Sequence, residues 1–219
     1  MRIAVTQAAP RGAVVAETLR RVGFEAVECP LVRVEPLGGP PIRAAGYDWL
    51  LLTSRNAVVP FLARLEGALP PVGVVGPGTA EALREQGVEP ALVATSSSQE
   101  GLAAEVPRPA GRVLFAGAEG ARDVLVRELG ADFVPLYRTI EEQPEVFPES
   151  ELVLLSSTSA VRSFAALGLG RPCVAIGPLT AEEARNLRLE VVAEAAAQTP
   201  EGLVDAVKLA ASRIGSSHS

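Results

Sequence analysis

The chain has 219 residues, 48% hydrophobic and 21% charged, with a formal net charge of −6, a composition that calls for a packed core and fits either one large domain or two small ones. The acidic balance excludes nucleic acid as the main partner, because phosphate binding needs a dense basic face. One histidine, His218 in a polar tail, and two cysteines, Cys29 and Cys173 inside apolar runs, provide no imidazole or thiolate cluster for a metal centre or a histidine triad. No metal and no cofactor are expected.

In chain order, Met1-Arg2-Ile3-Ala4-Val5 passes directly into a strand without the apolar stretch of a signal peptide, and no later run is long enough to span a bilayer. A cytoplasmic protein with no membrane partner is expected. A helix around Leu19 follows, then a strand holding Pro30-Leu31-Val32-Arg33 and a linker-like stretch from Pro36 to Pro41. Asp48-Trp49-Leu50-Leu51-Leu52-Thr53-Ser54-Arg55-Asn56-Ala57-Val58 reads as an apolar strand leading into a helix, as does Val72-Gly73-Val74-Val75-Gly76-Pro77-Gly78-Thr79-Ala80-Glu81. Ser98-Gln99-Glu100-Gly101-Leu102 opens a further helix.

The second half repeats the first. Arg112-Val113-Leu114-Phe115 and a helix around Leu129 match the opening, and Pro135-Leu136-Tyr137-Arg138 matches Pro30 to Arg33. Glu151-Leu152-Val153-Leu154-Leu155-Ser156-Ser157-Thr158-Ser159-Ala160-Val161 matches the segment from Asp48. Cys173 to Glu182 matches Val72 to Glu81 and Thr199-Pro200-Glu201-Gly202-Leu203 matches Ser98 to Leu102, both with a shift of 101 positions. Each copy reads as strand, helix, strand, strand, helix, strand, helix, strand, helix, with the continuous apolar strands of a sheet buried on both faces. The fold class is therefore α/β, with two flavodoxin-like parallel-sheet domains from an internal duplication.

Ser54, Thr79, Ser98, Ser157, Thr180 and Thr199 stand where N-caps are needed, Thr180 and Glu183 read as a capping box, and Pro200 takes the first helical position. In open parallel sheets such loops gather at the carboxyl edge, where helix starts offer N–H groups to anions. Gly76-Pro77-Gly78 and Gly177-Pro178 lack the spacing of nucleotide loops. Trp49 and Phe115 read as core.

These segments, in this order, resemble the uroporphyrinogen-III synthase family over nearly the whole chain, from Arg2 to about Val207. Thr53 to Val58 is similar to the family's Thr-Ser-Xaa-Asn-Ala-Val segment, and Gly117 to Leu125, with Arg122-Asp123, to its Gly-rich segment. Val134-Pro135-Leu136-Tyr137-Arg138-Thr139 resembles its Val-Xaa-Xaa-Tyr-Xaa-Thr strand. One departure is the loop after the first strand, Thr6-Gln7-Ala8-Ala9-Pro10-Arg11, where the family commonly has Thr-Arg-Pro.

The resemblance implies a discontinuous first domain, 1–35 plus 142–212, a second domain, 36–141, a two-strand hinge between them, and a flexible tail, 213–219. It implies a lyase that closes hydroxymethylbilane, a chain of four pyrroles with eight carboxylates, into uroporphyrinogen III, with loss of water and inversion of the last pyrrole, in the cleft between two domains. The implied partner is this tetrapyrrole substrate, and the implied state is a monomer. Candidate substrate-binding residues are Ser54, Asn56, Gly76, Thr79, Ser98, Arg122, Ser157, Ser159, Gly177, Thr180 and Thr199. The repeat places Tyr137 opposite Val32, so the fold does not demand a phenol there, and the resemblance puts the family's tyrosine at that position. Tyr137 is the catalytic candidate, as a proton donor to the departing hydroxyl. The competing reading is a non-enzymatic two-domain protein that binds a small anion; a response-regulator-like module lacks the acidic cluster it needs after the first strand.

Overall fold

The computed structural model describes residues 1–216, with side chains as far as Ile214. The first copy comprises β1 (Arg2–Val5), α1 (Arg11–Arg21), β2 (Glu25–Glu28), β3 (Val32–Pro36), β4 (Ile42–Arg43), β5 (Trp49–Leu52), α2 (Arg55–Arg64), β6 (Leu65–Glu66), β7 (Val72–Val74), α3 (Pro77–Arg84), β8 (Leu92–Val93) and α4 (Gln99–Glu105). The second comprises β9 (Val113–Ala118), α5 (Val124–Leu129), β10 (Asp132–Glu141), β11 (Leu152–Leu155), α6 (Thr158–Ala166), β12 (Cys173–Ala175), α7 (Pro178–Asn186), β13 (Val191–Glu194) and α8 (Pro200–Ser216). The alternation expected from the sequence is present in both copies. The first adds a two-residue parallel pair, β4 with β6, that the apolar pattern does not announce.

The copies are not the compact units. Unit 1 holds Met1–Arg33 with the chain from Thr139 onward, and unit 2 holds Val34–Arg138. The sheet of unit 1 has the order β13-β12-β11-β1-β2 and is parallel throughout. The second sheet has the order β3-β10-β9-β5-β7-β8, parallel from β10 to β8. Matched by repeat, β9 and β10 stand in this sheet where β1 and β2 stand in the other. Both sheets thus show the flavodoxin-like order. β3 and β10 carry the chain across the unit boundary and run antiparallel: Glu142 N donates to Leu31 O (2.9 Å) and Leu37 N to Leu136 O (2.8 Å). Arg33 pairs with Glu142 at 2.9 Å and Arg138 Nε donates to Glu35 at 3.1 Å along this ladder.

Strand alternation sorts the core into two layers per unit. In unit 1, Ile3, Val5, Leu152, Leu154 and Val174 pack with Val15, Leu19, Leu203 and Val207 of α1 and α8, while Ala4, Val153, Leu155 and Cys173 pack with Val161, Phe164 and Ala184 of α6 and α7. In unit 2, Leu50, Leu52, Val72, Val74, Leu114 and Ala116 face Val58, Phe61 and Leu83 of α2 and α3, while Leu51, Val113 and Phe115 face Leu102 and Leu125 of α4 and α5. Phe115 is buried as expected; Trp49 is only half-buried. Both cysteines are buried thiols, and desolvation pushes Cys173 up to about 12.

One expectation needs correction. Residues 213 to 216, assigned to a flexible tail, continue α8. The helical period holds through Val207, Ala210 and Ile214, which pack on the core, and Arg213 Nη1 donates to Val192 O at 2.6 Å. His218 lies outside the described residues.

The motif Glu-Xaa-Leu around Gly101 and Gly202 recurs for a steric reason. A Cβ on Gly101 would stand 2.5 Å from Ser96 O, and one on Gly202 would meet Ala197 O in the same way. Each glycine lets the incoming loop lie against the first turn of its helix. Gly202→Ala should therefore destabilise the protein by about 1–3 kcal/mol through overpacking against backbone, read as a lowered urea midpoint; an unchanged midpoint would contradict the steric account.

Candidate functional site

A parallel strand followed by a crossover helix delivers the same kind of loop to the same edge each time. In unit 2, β5 ends before Ser54 and Asn56, β7 before Gly76 and Thr79, β8 before Ser98, and β9 before Arg122. Tyr137 on β10 stands beside Ala118, the last residue of β9. In unit 1, β11 ends before Ser157 and Ser159, β12 before Gly177 and Thr180, and β13 before Thr199. Every candidate therefore lies at the carboxyl edge of one sheet or the other.

The caps divide into two kinds. Ser54 accepts from Asn56 N at 3.2 Å, Ser98 from Gly101 N at 3.0 Å, Ser157 from Ala160 N at 3.1 Å, and Thr199 from Gly202 N at 3.1 Å. These hydroxyls cap as expected. Thr79 and Thr180 do not: the N-caps are Gly76 and Gly177, and both threonines are buried inside the first turn. Pro77 and Pro178 cause the offset, since proline settles into the first helical position, where its missing N–H costs nothing, and so moves the cap to the preceding glycine. The expected Thr180–Glu183 capping box is therefore absent, and Glu183 instead accepts from Arg162 Nη1 at 3.2 Å.

Two further candidates are engaged. Arg122 lies in the loop before α5, not on its first turn, because the helix begins at Val124 after Asp123. Its Nη1 and Nη2 donate to the two carboxylate oxygens of Glu100 at 2.5 and 3.0 Å. The guanidinium holds Glu100 below the usual carboxylate range. Ser159 accepts from Arg162 Nη2 at 3.1 Å, and Arg162 also donates to Glu141 at 3.0 Å. Glu100, two residues after the cap Ser98, and Arg162, three residues after Ser159, are partners of these candidates that the sequence does not announce. Asn56 and Thr199 are exposed.

Tyr137 is the most distinctive group at this edge. Only 5% exposed, it packs into the layer of Leu52, Ala116 and Leu136. The register of β10 against β9 shifts between Pro135 and Tyr137, and a bulge of this kind re-aims side chains. Leu136 and Tyr137, neighbours in sequence, consequently belong to the same core layer, whereas unbroken alternation would send them to opposite faces. Burial pushes the phenol up from its ordinary value, and a hydrogen bond with the Ser54 side chain acts in the opposite sense. The group is protonated at neutral pH and packed among apolar side chains.

The chain's likeness to known proteins agrees with this arrangement. The model of the family described as uroporphyrinogen-III synthase HemD matches residues 13–205. A uroporphyrinogen-III synthase from Synechococcus elongatus is 28% identical over 94% of this chain and 94% of its own. A porphyrin biosynthesis protein HemD from Ruminiclostridium josui is 31% identical over 88% of this chain, which spans 45% of that longer protein. In fold, the chain is similar to the uroporphyrinogen-III synthetase of Helicobacter pylori, with a TM-score of 0.67 at 15% identity over 96% of this chain and 98% of that one. Duplicated parallel sheets, loops collected at their carboxyl edges and a family match that runs through nearly all of them lead to one conclusion: the chain belongs to the uroporphyrinogen-III synthase family.

Proposed function

We propose that the chain converts hydroxymethylbilane to uroporphyrinogen III, and that Tyr137 is the acid that assists departure of the hydroxyl. The family match carries the reaction, and the buried, protonated phenol at the carboxyl edge supports the role of Tyr137. Nothing favours the anion-binding alternative over it.

An electron-rich pyrrole expels its neighbouring hydroxyl when that oxygen receives a proton, since water leaves more readily than hydroxide. The C–O bond breaks with its electron pair going to water, the pyrrole nitrogen supplies electrons to the ring, and an azafulvene results. Attack from the free α-carbon of the last pyrrole would give the uninverted ring. Attack from its substituted α-carbon gives a spiro intermediate; the bond from that carbon to the old methylene bridge then breaks, the bridge carbon bonds to the free α-carbon instead, and that carbon's proton passes to the phenolate that Tyr137 has become, which leaves the pyrrole inverted. The choice between carbons is one of position, so the protein must hold the flexible substrate in a single conformation.

For the substrate's carboxylates, the proposal uses Ser54, Asn56, Gly76, Thr79, Ser98, Arg122, Ser157, Ser159, Gly177, Thr180 and Thr199, in two different ways. The N–H groups at the starts of α2, α3, α4, α6, α7 and α8 carry partial positive charge. Ser98, Ser157, Thr199 and the glycine caps act by fixing those helix starts, while the buried Thr79 and Thr180 shape them from beneath. Arg122 would exchange its exposed partner Glu100 for a substrate carboxylate, an exchange favoured by the weak hold of exposed ion pairs. This explains how an acidic chain can receive a polyanion without a basic surface. The proposal extends to a cytoplasmic, cofactor-free monomer with the two crossing strands as its hinge; among the described residues no helix is long and apolar enough to cross a membrane.

Purified protein without added metal or nucleotide should convert freshly prepared hydroxymethylbilane mainly to the type III isomer, as chromatography of the oxidised product reports; type I at the uncatalysed level would overturn the assignment. Tyr137→Phe should lower the turnover number by about 10- to 100-fold and leave the thermal transition nearly unchanged. Full activity in that variant would remove the phenol from the mechanism. The phenol should also titrate late. In Tyr47→Phe protein, Tyr137 is the one remaining tyrosine, and its ultraviolet ionisation midpoint should lie above the ordinary value of roughly 10. Because the folded state keeps this proton longer than the unfolded state, stability should fall as pH rises from about 10 toward that midpoint. A midpoint at the unfolded value would show the phenol to be solvated.

A further inference from the structure

We propose that Leu179 packs against a pyrrole ring of the substrate, as the apolar wall of a ring-binding position at the carboxyl edge of unit 1. This rests on the proposed reaction and adds what the polar candidates lack, a surface for the rings themselves.

The candidates at this edge, Ser157, Ser159, Gly177, Thr180 and Thr199, offer hydroxyl and N–H groups. Those suit the carboxylate arms of the substrate, but each arm is joined to a flat ring whose faces carry no hydrogen-bonding group. Sheet order decides what lies beside them. Because β11 stands between β1 and β12, the serine segment that follows it, Ser156 to Ser159, opens between the loops that follow those two strands. Both flanking loops expose apolar residues: Ala9 and Pro10 after β1, Pro178 and Leu179 after β12. The flanking strands are two strand spacings apart, roughly 10 Å, which gives a five-membered ring room over the serines. Polar groups between apolar sides suit a pyrrole that carries its carboxylates on short arms.

Leu179 is the large residue of this set. It stands on the first turn of α7 and is 68% exposed, although the strand before it is wholly buried. The repeat shows that the fold does not ask for it. With the shift of 101 positions Leu179 matches Gly78, and the two helix starts share one backbone form, with cap φ and ψ of 168° and 179° at Gly76 and 175° and 179° at Gly177. A Cβ on Gly78 would meet nothing within 4 Å. A side chain at this position faces open space, as the exposure of Leu179 also shows. Helix propensity is the competing explanation, since leucine outranks glycine inside a helix; alanine outranks both, so Leu179→Ala separates the two accounts.

Leu179→Ala should raise KM for hydroxymethylbilane by about 10-fold, the lower end of what burying a leucine contributes. The turnover number should change little, the pattern of a contact made equally in ground and transition states, and the thermal transition should be no lower. Leu179→Met, which keeps an apolar side chain of similar volume, should hold KM near that of the parent. The ratio of KM between Leu179→Ala and parent should persist from low to high salt, because the lost contact carries no charge. Leu187→Ala, at the far end of the same helix where the leucine is 41% exposed, should leave KM as it is. An unchanged KM in Leu179→Ala, an equal rise in Leu187→Ala, or a ratio that collapses at high salt would overturn the inference. If the parent forms the type III ring and Leu179→Ala keeps its KM, Leu179 alone is removed; if the parent forms no type III ring, the proposed reaction falls and this inference with it.

Discussion

Parallel strands buried on both faces cannot be joined by hairpins. Each must be followed by a crossover that covers one face of the sheet, and in this chain the crossovers are helices starting within a few residues of the strand ends. The consequence is positional. Every strand-to-helix loop falls on one edge of its sheet, every helix start points its unpaired N–H groups there, and every cap that satisfies one of those groups becomes part of the same surface. The candidate residues are gathered by this constraint before any ligand is considered. A chain with an acidic net charge can therefore present anion-accepting edges built from backbone.

The same constraint explains how much was legible beforehand. Continuous apolar runs such as Leu50-Leu51-Leu52 and Leu152-Val153-Leu154-Leu155 reveal buried parallel strands directly, because no polar residue alternates with them. The repeat then gives the order of elements. Serine caps were readable, since Ser54, Ser98 and Ser157 each stand between an apolar run and a helical one. Thr79 and Thr180 misled because they occupy a similar place in the text, and the intervening proline moves the cap to the glycine before it. The end of α8 misled for a different reason: the polar Gly-Ser-Ser-His-Ser ending suggested a tail from 213, while Ile214 still extends the packing stripe of Val207 and Ala210.

Ion pairs and re-aimed side chains were not legible, because both depend on neighbours distant in sequence. Arg122 finds Glu100 on the first turn of α4, and Arg162 joins Glu141, Glu183 and Ser159 from three elements. No periodicity announces the bulge before Tyr137, although it decides which way the phenol points. Tyr137 stands out in the sequence by contrast with Val32, its counterpart in the other copy. The structure shows how the ring is buried: the register shifts before Tyr137, and the β9 residues in the same layer, Ala116 and Ala118, are small.

The reaction proposed here asks for modest acid assistance and strict control of which carbon attacks. These demands separate cleanly in the product. Hydroxymethylbilane carrying one carbon-13 label in its hydroxymethyl group and another in the substituted α-carbon of the last pyrrole tests the attack directly by nuclear magnetic resonance. If the protein guides closure through that carbon and the old bridge then migrates, the two labels end as bonded neighbours, and the product shows one-bond carbon–carbon coupling. Label signals in the enzymic product without that coupling would mean that the free α-carbon had attacked, and would contradict the account at its centre.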